Sequence, residues 1–257
     1  MSLQIGAAVS GAFDRLVSRT GAVLLVSYSV LMVAMQSMVN TVFAALYRQA
    51  GFDAAVDVLP LVLDVPLGLA AGGVILASIV SLYLSIVAVR TFVADAQASF
   101  PADALTRNVP LAVLNLLVGG LVYGLLVFVG SLLLIVPGIF LYVVLIFMVP
   151  AIAVEDRNFV AAMRESYRLT GGNRIALFGL LVLVVGVSGV VGGVVGLGST
   201  LLLPASLAQL GITLVQAPVS LLSLAVISVA YGQLREADSG SGVEPGSSED
   251  TGAATAI

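Results

Sequence analysis

The sequence predicts an all-α polytopic membrane protein, a bundle of six transmembrane helices with short interfacial helices on its cytoplasmic side. Two features of composition indicate this class. Of the 257 residues, 60% are hydrophobic and only 9% are charged, and the mean hydropathy is +1.17. A soluble domain carries roughly 25% charged residues, and a fold of this size could not hide so much apolar surface from water. An ordinary soluble enzyme is therefore excluded.

The positions of the spans follow from the uncharged stretches of the chain. A spanning helix needs about 20 apolar residues. The uncharged stretches 108–154 and 175–234 would be roughly 70 Å and 90 Å long as single helices, so each must fold back once. We expect the first turn between the breakers Gly130-Ser131 and Pro137-Gly138, and the second within 198–209, around Pro204. Pro150 and Pro218 should bend the fourth and sixth spans. The predicted spans are 21–46, 67–89, 109–133, 137–154, 175–197 and 212–231.

The basic residues predict the orientation. All ten are arginines, and with six spans nine of them fall on the side that holds both termini, the second loop and the fourth loop. Arg48 alone falls on the other side. Because arginine accumulates on the cytoplasmic side, we expect a multi-pass protein of the cell membrane with both termini in the cytoplasm.

Beyond the last span the composition changes. Residues 1–234 form the predicted membrane domain, and residues 235–257 are rich in Gly, Ser and acids, which predicts a disordered acidic cytoplasmic tail. The chain has no lysine and a net charge of −4. This balance is typical of a halophilic archaeon; a GC-rich genome is the alternative explanation.

Three cytoplasmic segments have the pattern of interfacial helices. In the first, Ile5, Val9, Phe13 and Leu16 share one face. The second is a short turn that begins at Pro101, in which Asp103 is placed to pair with Arg107 at i,i+4. Each segment leads into an odd-numbered span, which leaves open a threefold repeat of one surface helix plus one hairpin.

The third segment, between the fourth and fifth spans, has the clearest pattern. Its apolar residues Phe159, Met163 and Tyr167 recur every four positions, and Gly171-Gly172 ends the helix. Beside them runs a stripe of arginines that is suited to the phosphates of membrane lipids. The predicted headgroup contacts are Arg157, Arg164, Arg168 and Arg174. The alternative is that the helix only caps the bundle and its arginines only enforce the topology.

Polar and small residues inside the spans have two interpretations each. The amides are Gln36, Asn40, Asn115 and Gln216. They form a candidate intramembrane polar cluster that lines a cavity, or they make hydrogen bonds between helices. The glycine pairs Gly120/Gly124, Gly189/Gly193 and Gly192/Gly196 have the spacing that lets helices approach closely. Glu155-Asp156 is placed where the helix of the fourth loop begins, which suits that helix's dipole or a cation site.

One stretch carries a pattern known from another family. The pattern comprises Pro137-Gly138-Ile139, an apolar run to Pro150, Glu155-Asp156-Arg157, Ala161 to Tyr167, Leu169-Thr170 and Gly172-Asn173. It resembles the membrane domain of glycerophosphoryl diester phosphodiesterases, a domain that many stand-alone membrane proteins share, including haloarchaeal ones. The resemblance implies a six-helix membrane domain of unassigned role. It does not imply the phosphodiesterase activity, because that chemistry lies in a separate soluble barrel with catalytic histidines.

The missing residue types restrict the chemistry. The chain has no His, no Cys and no Lys, so the usual zinc sites, a Ser-His-Asp relay and a P-loop lysine cannot be built. We therefore expect no catalytic residue, no metal site, no cofactor and no nucleic-acid partner. The predicted function is a non-enzymatic membrane component associated with lipids or a partner. The alternative is a transporter or channel for a small solute. Protein partners and the oligomeric state stay open.

Overall fold

The computed structural model describes residues 3–241, which form eleven α-helices and no strand. The helices are α1 (Ile5–Val17), α2 (Arg19–Gln49), α3 (Asp53–Val56), α4 (Leu67–Val93), α5 (Ala102–Thr106), α6 (Val109–Leu133), α7 (Ile135–Val144), α8 (Met148–Glu155), α9 (Phe159–Leu169), α10 (Arg174–Leu202) and α11 (Ala205–Ser241). Six segments of this part of the chain are long and apolar enough to cross a membrane: α2, α4, α6, α7 with α8, α10, and α11. The predicted all-α, six-span class is confirmed.

The middle of the bundle is formed by α4 and α11. The helix α4 packs on α2 and α8, and α11 packs on α1, α2, α4 and α10. The buried core includes Phe92, Phe147, Leu221 and Tyr231, each fully buried. By contrast, α6 and α10 lie at the edge of the bundle, where their apolar side chains are exposed, as the bilayer permits.

A tight corner joins the surface helix α1 to the first span. The hydroxyl of Ser18 donates a hydrogen bond to the carbonyl of Arg15 at 2.6 Å and accepts one from the backbone N–H of Gly21 at 3.1 Å, which caps α2. A Cβ atom on Gly21 would lie 2.2 Å from the Arg15 carbonyl oxygen. Only glycine fits this corner without a backbone shift.

The structure agrees in part with the contacts predicted for the first two interfacial segments. In α1, Ile5, Val9 and Leu16 pack against the core, but Phe13 is 59% exposed. The fully buried residues are the small ones, Ala8 and Ala12, because α1 lies directly on α11. In the second segment the predicted pair forms, with the Arg107 guanidinium 3.0 Å from the Asp103 carboxylate.

The hairpin between the third and fourth spans turns at Leu134, between the predicted spans 109–133 and 137–154. The fourth span begins two residues earlier than predicted, so Pro137-Gly138 lie inside α7. Close packing explains why position 138 needs glycine: a Cβ atom added there would lie 1.9 Å from the Ser131 hydroxyl oxygen. The fourth span is then broken at residues 145–147, between α7 and α8. This break comes before Pro150, which lies in the first turn of α8.

The last described residues, 235–241, differ from the prediction. The turn between α10 and α11 is only residues 203–204, and α11 continues to Ser241. Residues 235–241, predicted to be disordered, therefore extend the last span as a helix. This extension is held to α8 and α9 by the contacts and ion pairs described below. The rest of the predicted tail, 242–257, lies outside the described residues.

The spaced glycines do not bring helices together within this chain. A Cβ atom at any of the six glycines of these pairs would meet no atom within 4 Å: Gly120, Gly124, Gly189, Gly192, Gly193 and Gly196. The close-packing explanation for these pairs is therefore wrong for contacts inside the described chain. Their helices lie at the edge, where spacing in the sequence cannot tell a lipid-facing stripe from a helix-facing one.

Candidate functional site

One end of the bundle gathers polar contacts between the N-terminal segment, the second and fourth connections and the end of α11, and we call it the arginine end. Here Arg15 at the end of α1 lies 2.9 Å from the Asp95 carboxylate after α4. The backbone N–H of Leu3 donates to the Asn173 side chain before α10 at 3.1 Å. The chain's N-terminal helix and its second and fourth connections therefore meet at one end, as the predicted topology requires.

The break in the fourth span is closed by a side chain from α9. The buried hydroxyl of Ser166 accepts a hydrogen bond from the backbone N–H of Phe147 at 3.0 Å and donates one to the carbonyl of Val144 at 2.8 Å. Because buried backbone groups away from water must be paired, this one hydroxyl makes the break tolerable. It also fixes α9 against the fourth span.

Asp156, in the fourth connection, forms ion pairs with two arginines at the two ends of the second connection. The buried guanidinium of Arg90, at the end of α4, lies 3.2 Å from the Asp156 carboxylate, and Arg107 lies 3.1 Å from its other oxygen. Arg90 also donates to the carbonyl of Ala153 at 2.6 Å. From the sequence, we expect Arg90 only to mark the cytoplasmic end of a span. In the fold its buried side chain also joins α4 to the end of α8 and to Asp156.

Glu155 forms a second set of ion pairs, at the end of α8. Its carboxylate accepts hydrogen bonds from the Tyr231 hydroxyl and from the Arg235 guanidinium, both on α11. The Arg157 guanidinium lies 2.5 Å from its other oxygen. The adjacent acids Glu155 and Asp156 thus lie at the end of α8, not at the start of the next helix, and arginines occupy the positions that a cation would need.

Glu165, on the buried face of α9, lies between two arginines. Arg168 donates to its carboxylate at 2.6 Å, and Arg157 lies 3.7 Å from it. Arg168 also contacts the Asp238 carboxylate on α11 at 2.9 Å. These bonds, to Glu165 first and then to Asp238, raise the pKa of Arg168 above its already high ordinary value. Its guanidinium is therefore charged at every physiological pH.

An open groove of about 630 Å³ runs along the start and the outer side of α9. We call it the α9 groove. Its polar and aromatic lining residues include Arg157, Asn158, Phe159, Arg164, Glu165 and Arg168. Asn158 caps the helix by accepting from the N–H of Ala161 at 2.9 Å, and Asn115 on α6 accepts from the N–H of Phe159 at 3.1 Å.

Arg164 differs from the other arginines of this groove. It is exposed, and the ion pairs of the described residues leave it without an acidic partner. Its neighbours at i−4 and i+3 on the same face are Val160, 43% exposed, and Tyr167, 51% exposed. The outer face of α9 therefore presents a charged guanidinium between apolar side chains.

A family model described as a domain of unknown function, DUF7847, matches residues 3–234. The chain belongs to this family. The match covers the arginine end up to Leu234 and stops before Arg235 and Asp238. No curated protein and no solved structure matches the chain.

Of the four predicted headgroup arginines, Arg164 is the one on the outer face of α9 for which residues 3–241 supply no acidic partner. Arg157 precedes α9 and is turned to Glu155 and Glu165, and Arg168 is held by Glu165 and Asp238. The prediction that Arg157, Arg164 and Arg168 form one stripe along a helix is therefore corrected, because Arg157 precedes α9. Spacing alone could not reveal Glu165 as an internal partner.

Arg174, at the start of α10, packs against aromatic rings. Its guanidinium carbon lies 4.7 Å from the ring centre of Tyr167 and 5.4 Å from that of Phe140. Its Nε is buried, and among the described residues nothing accepts a hydrogen bond from it. The cation–π contacts join α7, α9 and α10, a role that sequence spacing did not indicate.

The amides predicted as one cluster make different contacts in the DUF7847 domain. Gln36 donates to Asn40 at 2.9 Å, and Asn40 donates to the carbonyl of Pro60 at 2.6 Å, which anchors the loop after α3. Asn115 bonds at the other end, to Leu111 and Phe159. Gln216 is exposed on α11. These bonds agree with the alternative, in which the amides make hydrogen bonds within the fold; a shared polar cavity stays a prediction.

Acidic residues were also candidates for metal binding. Within residues 3–241 no group of three His, Cys, Asp or Glu side chains is close enough to hold an ion.

Proposed function

We propose that this DUF7847 protein is a non-enzymatic integral membrane protein that binds the phosphate groups of anionic lipids in the α9 groove. The observation that carries the proposal is the position of Arg164, exposed at the groove and without an acidic partner among the described residues. Val160 and Tyr167 beside it suit the boundary between acyl chains and headgroups, where a long arginine side chain keeps its charge at the phosphates.

The expected strength follows from the charges. Arg157 and Arg168 are largely neutralised by Glu155, Glu165 and Asp238, so Arg164 supplies most of the attraction. An arginine near an anionic leaflet is worth about 1 kcal/mol, which corresponds to about a fivefold change in affinity. The groove is therefore suited to selecting anionic over zwitterionic lipid, and not to holding one lipid permanently.

The location that fits this role is the cytoplasmic leaflet of the cell membrane, with both termini in the cytoplasm. The nine-to-one distribution of arginines supports it. The acidic, lysine-free composition supports a halophilic archaeon as the source. The pattern between Pro137 and Leu180 supports a distant relation to the membrane domain of glycerophosphoryl diester phosphodiesterases. We do not propose transport, because three of the amides expected to line a path, Gln36, Asn40 and Asn115, are engaged in hydrogen bonds within the fold.

The test is a lipid titration of the full-length protein in detergent, read by native mass spectrometry. We expect phosphatidylglycerol to bind more tightly than phosphatidylcholine, and Arg164→Gln to weaken phosphatidylglycerol binding about fivefold. Arg48→Gln is the matched control, because Arg48 is an exposed arginine at the opposite end. Excess inorganic phosphate distinguishes the two sources of phosphate: it should not displace the lipid. Equal binding by the wild type and both variants would refute the proposal.

A further inference from the structure

Arg168 connects the α9 groove to the last helix. Its guanidinium contacts both carboxylate oxygens of Asp238, at 2.9 Å and 3.2 Å. Asp238 lies on the extension of α11 beyond Leu234. The extension thus places a carboxylate on a guanidinium that lines the groove.

The same arginine lines a second, smaller pocket. This pocket of about 190 Å³ lies between the end of α9 and α11, and its lining includes Arg168, Leu169, Leu234 and Asp238. Arg168 is therefore shared by the two depressions. If Asp238 moves away, two of the guanidinium's donors become available at the rim of the groove.

The contact is exposed enough to exchange. The Arg168 and Asp238 side chains are 56% and 46% exposed, respectively. Ion pairs with this degree of exposure contribute little to stability, because water and salt screen them. By contrast, the bond from Arg168 to Glu165 ends on a carboxylate that is only 8% exposed, so it holds the arginine in place when Asp238 leaves.

We propose that Asp238 is a built-in competitor for the lipid phosphate: its carboxylate occupies the position on Arg168 that a phosphate oxygen would take, and this lowers the groove's affinity for anionic lipid. The proposal rests on the proposed function of the groove. A carboxylate and a phosphate oxygen bind a guanidinium through the same paired N–H donors. Lipid binding and the docking of the α11 extension on α9 are therefore opposed.

The chain offers a matched control two residues away. Glu236 lies on the same extension, is exposed, and has no ion pair within the described part of the chain. Glu236→Gln and Asp238→Asn remove the same charge from the same helix. Only the second variant frees Arg168, so a difference between them reports the contact and not the net charge.

The experiment is the phosphatidylglycerol titration of the full-length protein, with four variants. We expect Asp238→Asn to raise the affinity roughly threefold and Glu236→Gln to leave it near the wild-type value. Arg168→Gln alone should weaken binding slightly or not at all, because Asp238 already occupies that guanidinium. The gain from Asp238→Asn should vanish in the double variant with Arg168→Gln, because the freed guanidinium is then absent.

The outcomes separate this inference from the function on which it rests. If the wild type prefers phosphatidylglycerol through Arg164 but Asp238→Asn gives no gain over Glu236→Gln, the competition is refuted and the groove's function stands. A gain that persists in the double variant also refutes the competition, since it then does not act through Arg168. If the wild type shows no preference for phosphatidylglycerol, both proposals fail together.

Discussion

Ser166 and Phe147, nineteen positions apart in the chain, are joined by a hydrogen bond of 3.0 Å from the Phe147 backbone N–H to the Ser166 hydroxyl. The same hydroxyl donates to the carbonyl of Val144, so one side chain of α9 pairs two backbone groups on either side of the break in the fourth span. The surface helix that carries the groove is thereby fixed to the membrane-spanning part of the fold.

Replacing this hydroxyl should destabilise the protein. Ser166→Ala leaves one buried N–H and one buried carbonyl unpaired, at a cost of about 1–3 kcal/mol. The measurement is thermal unfolding of the full-length protein in detergent. Ser10→Ala is the control, because Ser10 donates its bond on the exposed side of α1. Equal unfolding temperatures for the two variants would show that the break is satisfied in another way.

A buried and an exposed arginine ion pair should contribute differently to the free energy of unfolding. Arg90→Gln removes a guanidinium that is 4% exposed and leaves Asp156 short of a partner, so we expect a loss of about 3 kcal/mol in unfolding free energy. Arg15→Gln breaks a pair whose acid, Asp95, is 55% exposed, and should cost less than about 1 kcal/mol. Denaturant unfolding of both variants checks the order, and a larger loss for Arg15→Gln would contradict it.

Glycines that pack should be distinguishable from glycines that face outward. Gly138→Ala forces a methyl group against Ser131, so we expect it to destabilise the α6–α7 hairpin by about 1–3 kcal/mol. Gly189→Ala meets open space and should be neutral in the monomer. The readout is unfolding temperature together with mass in detergent. A change of oligomeric state in Gly189→Ala would mean that this face contacts another chain.

The topology can be read directly. Reporter fusions at Ala237 and at Asp57 should be on opposite sides of the membrane, with Ala237 in the cytoplasm. The physical reason is the accumulation of arginines at the end that holds α1, α9 and the end of α11. Fusions that report the same side would exclude six spans in this orientation.

The spans could be located from the sequence because composition alone decides which stretches are stable in lipid. The break at residues 145–147 could not, because Pro137–Val154 is uniformly apolar and the stabilising hydroxyl of Ser166 comes from another helix. Only part of the α9 groove could be predicted from the sequence. Four-residue spacing placed Arg164 and Arg168 on α9, but only the fold shows that Glu165 and Asp238 hold Arg168 while Arg164 faces outward.

The central claim is that Arg164 selects anionic lipid from a bilayer. The most direct measurement reconstitutes the protein in bilayers of equal parts phosphatidylglycerol and phosphatidylcholine, extracts it with its surrounding lipids into polymer nanodiscs, and quantifies both lipids. We predict that phosphatidylglycerol is enriched around the wild type and around Arg48→Gln, and that the enrichment falls in Arg164→Gln. The same lipid ratio for all three proteins would contradict the account.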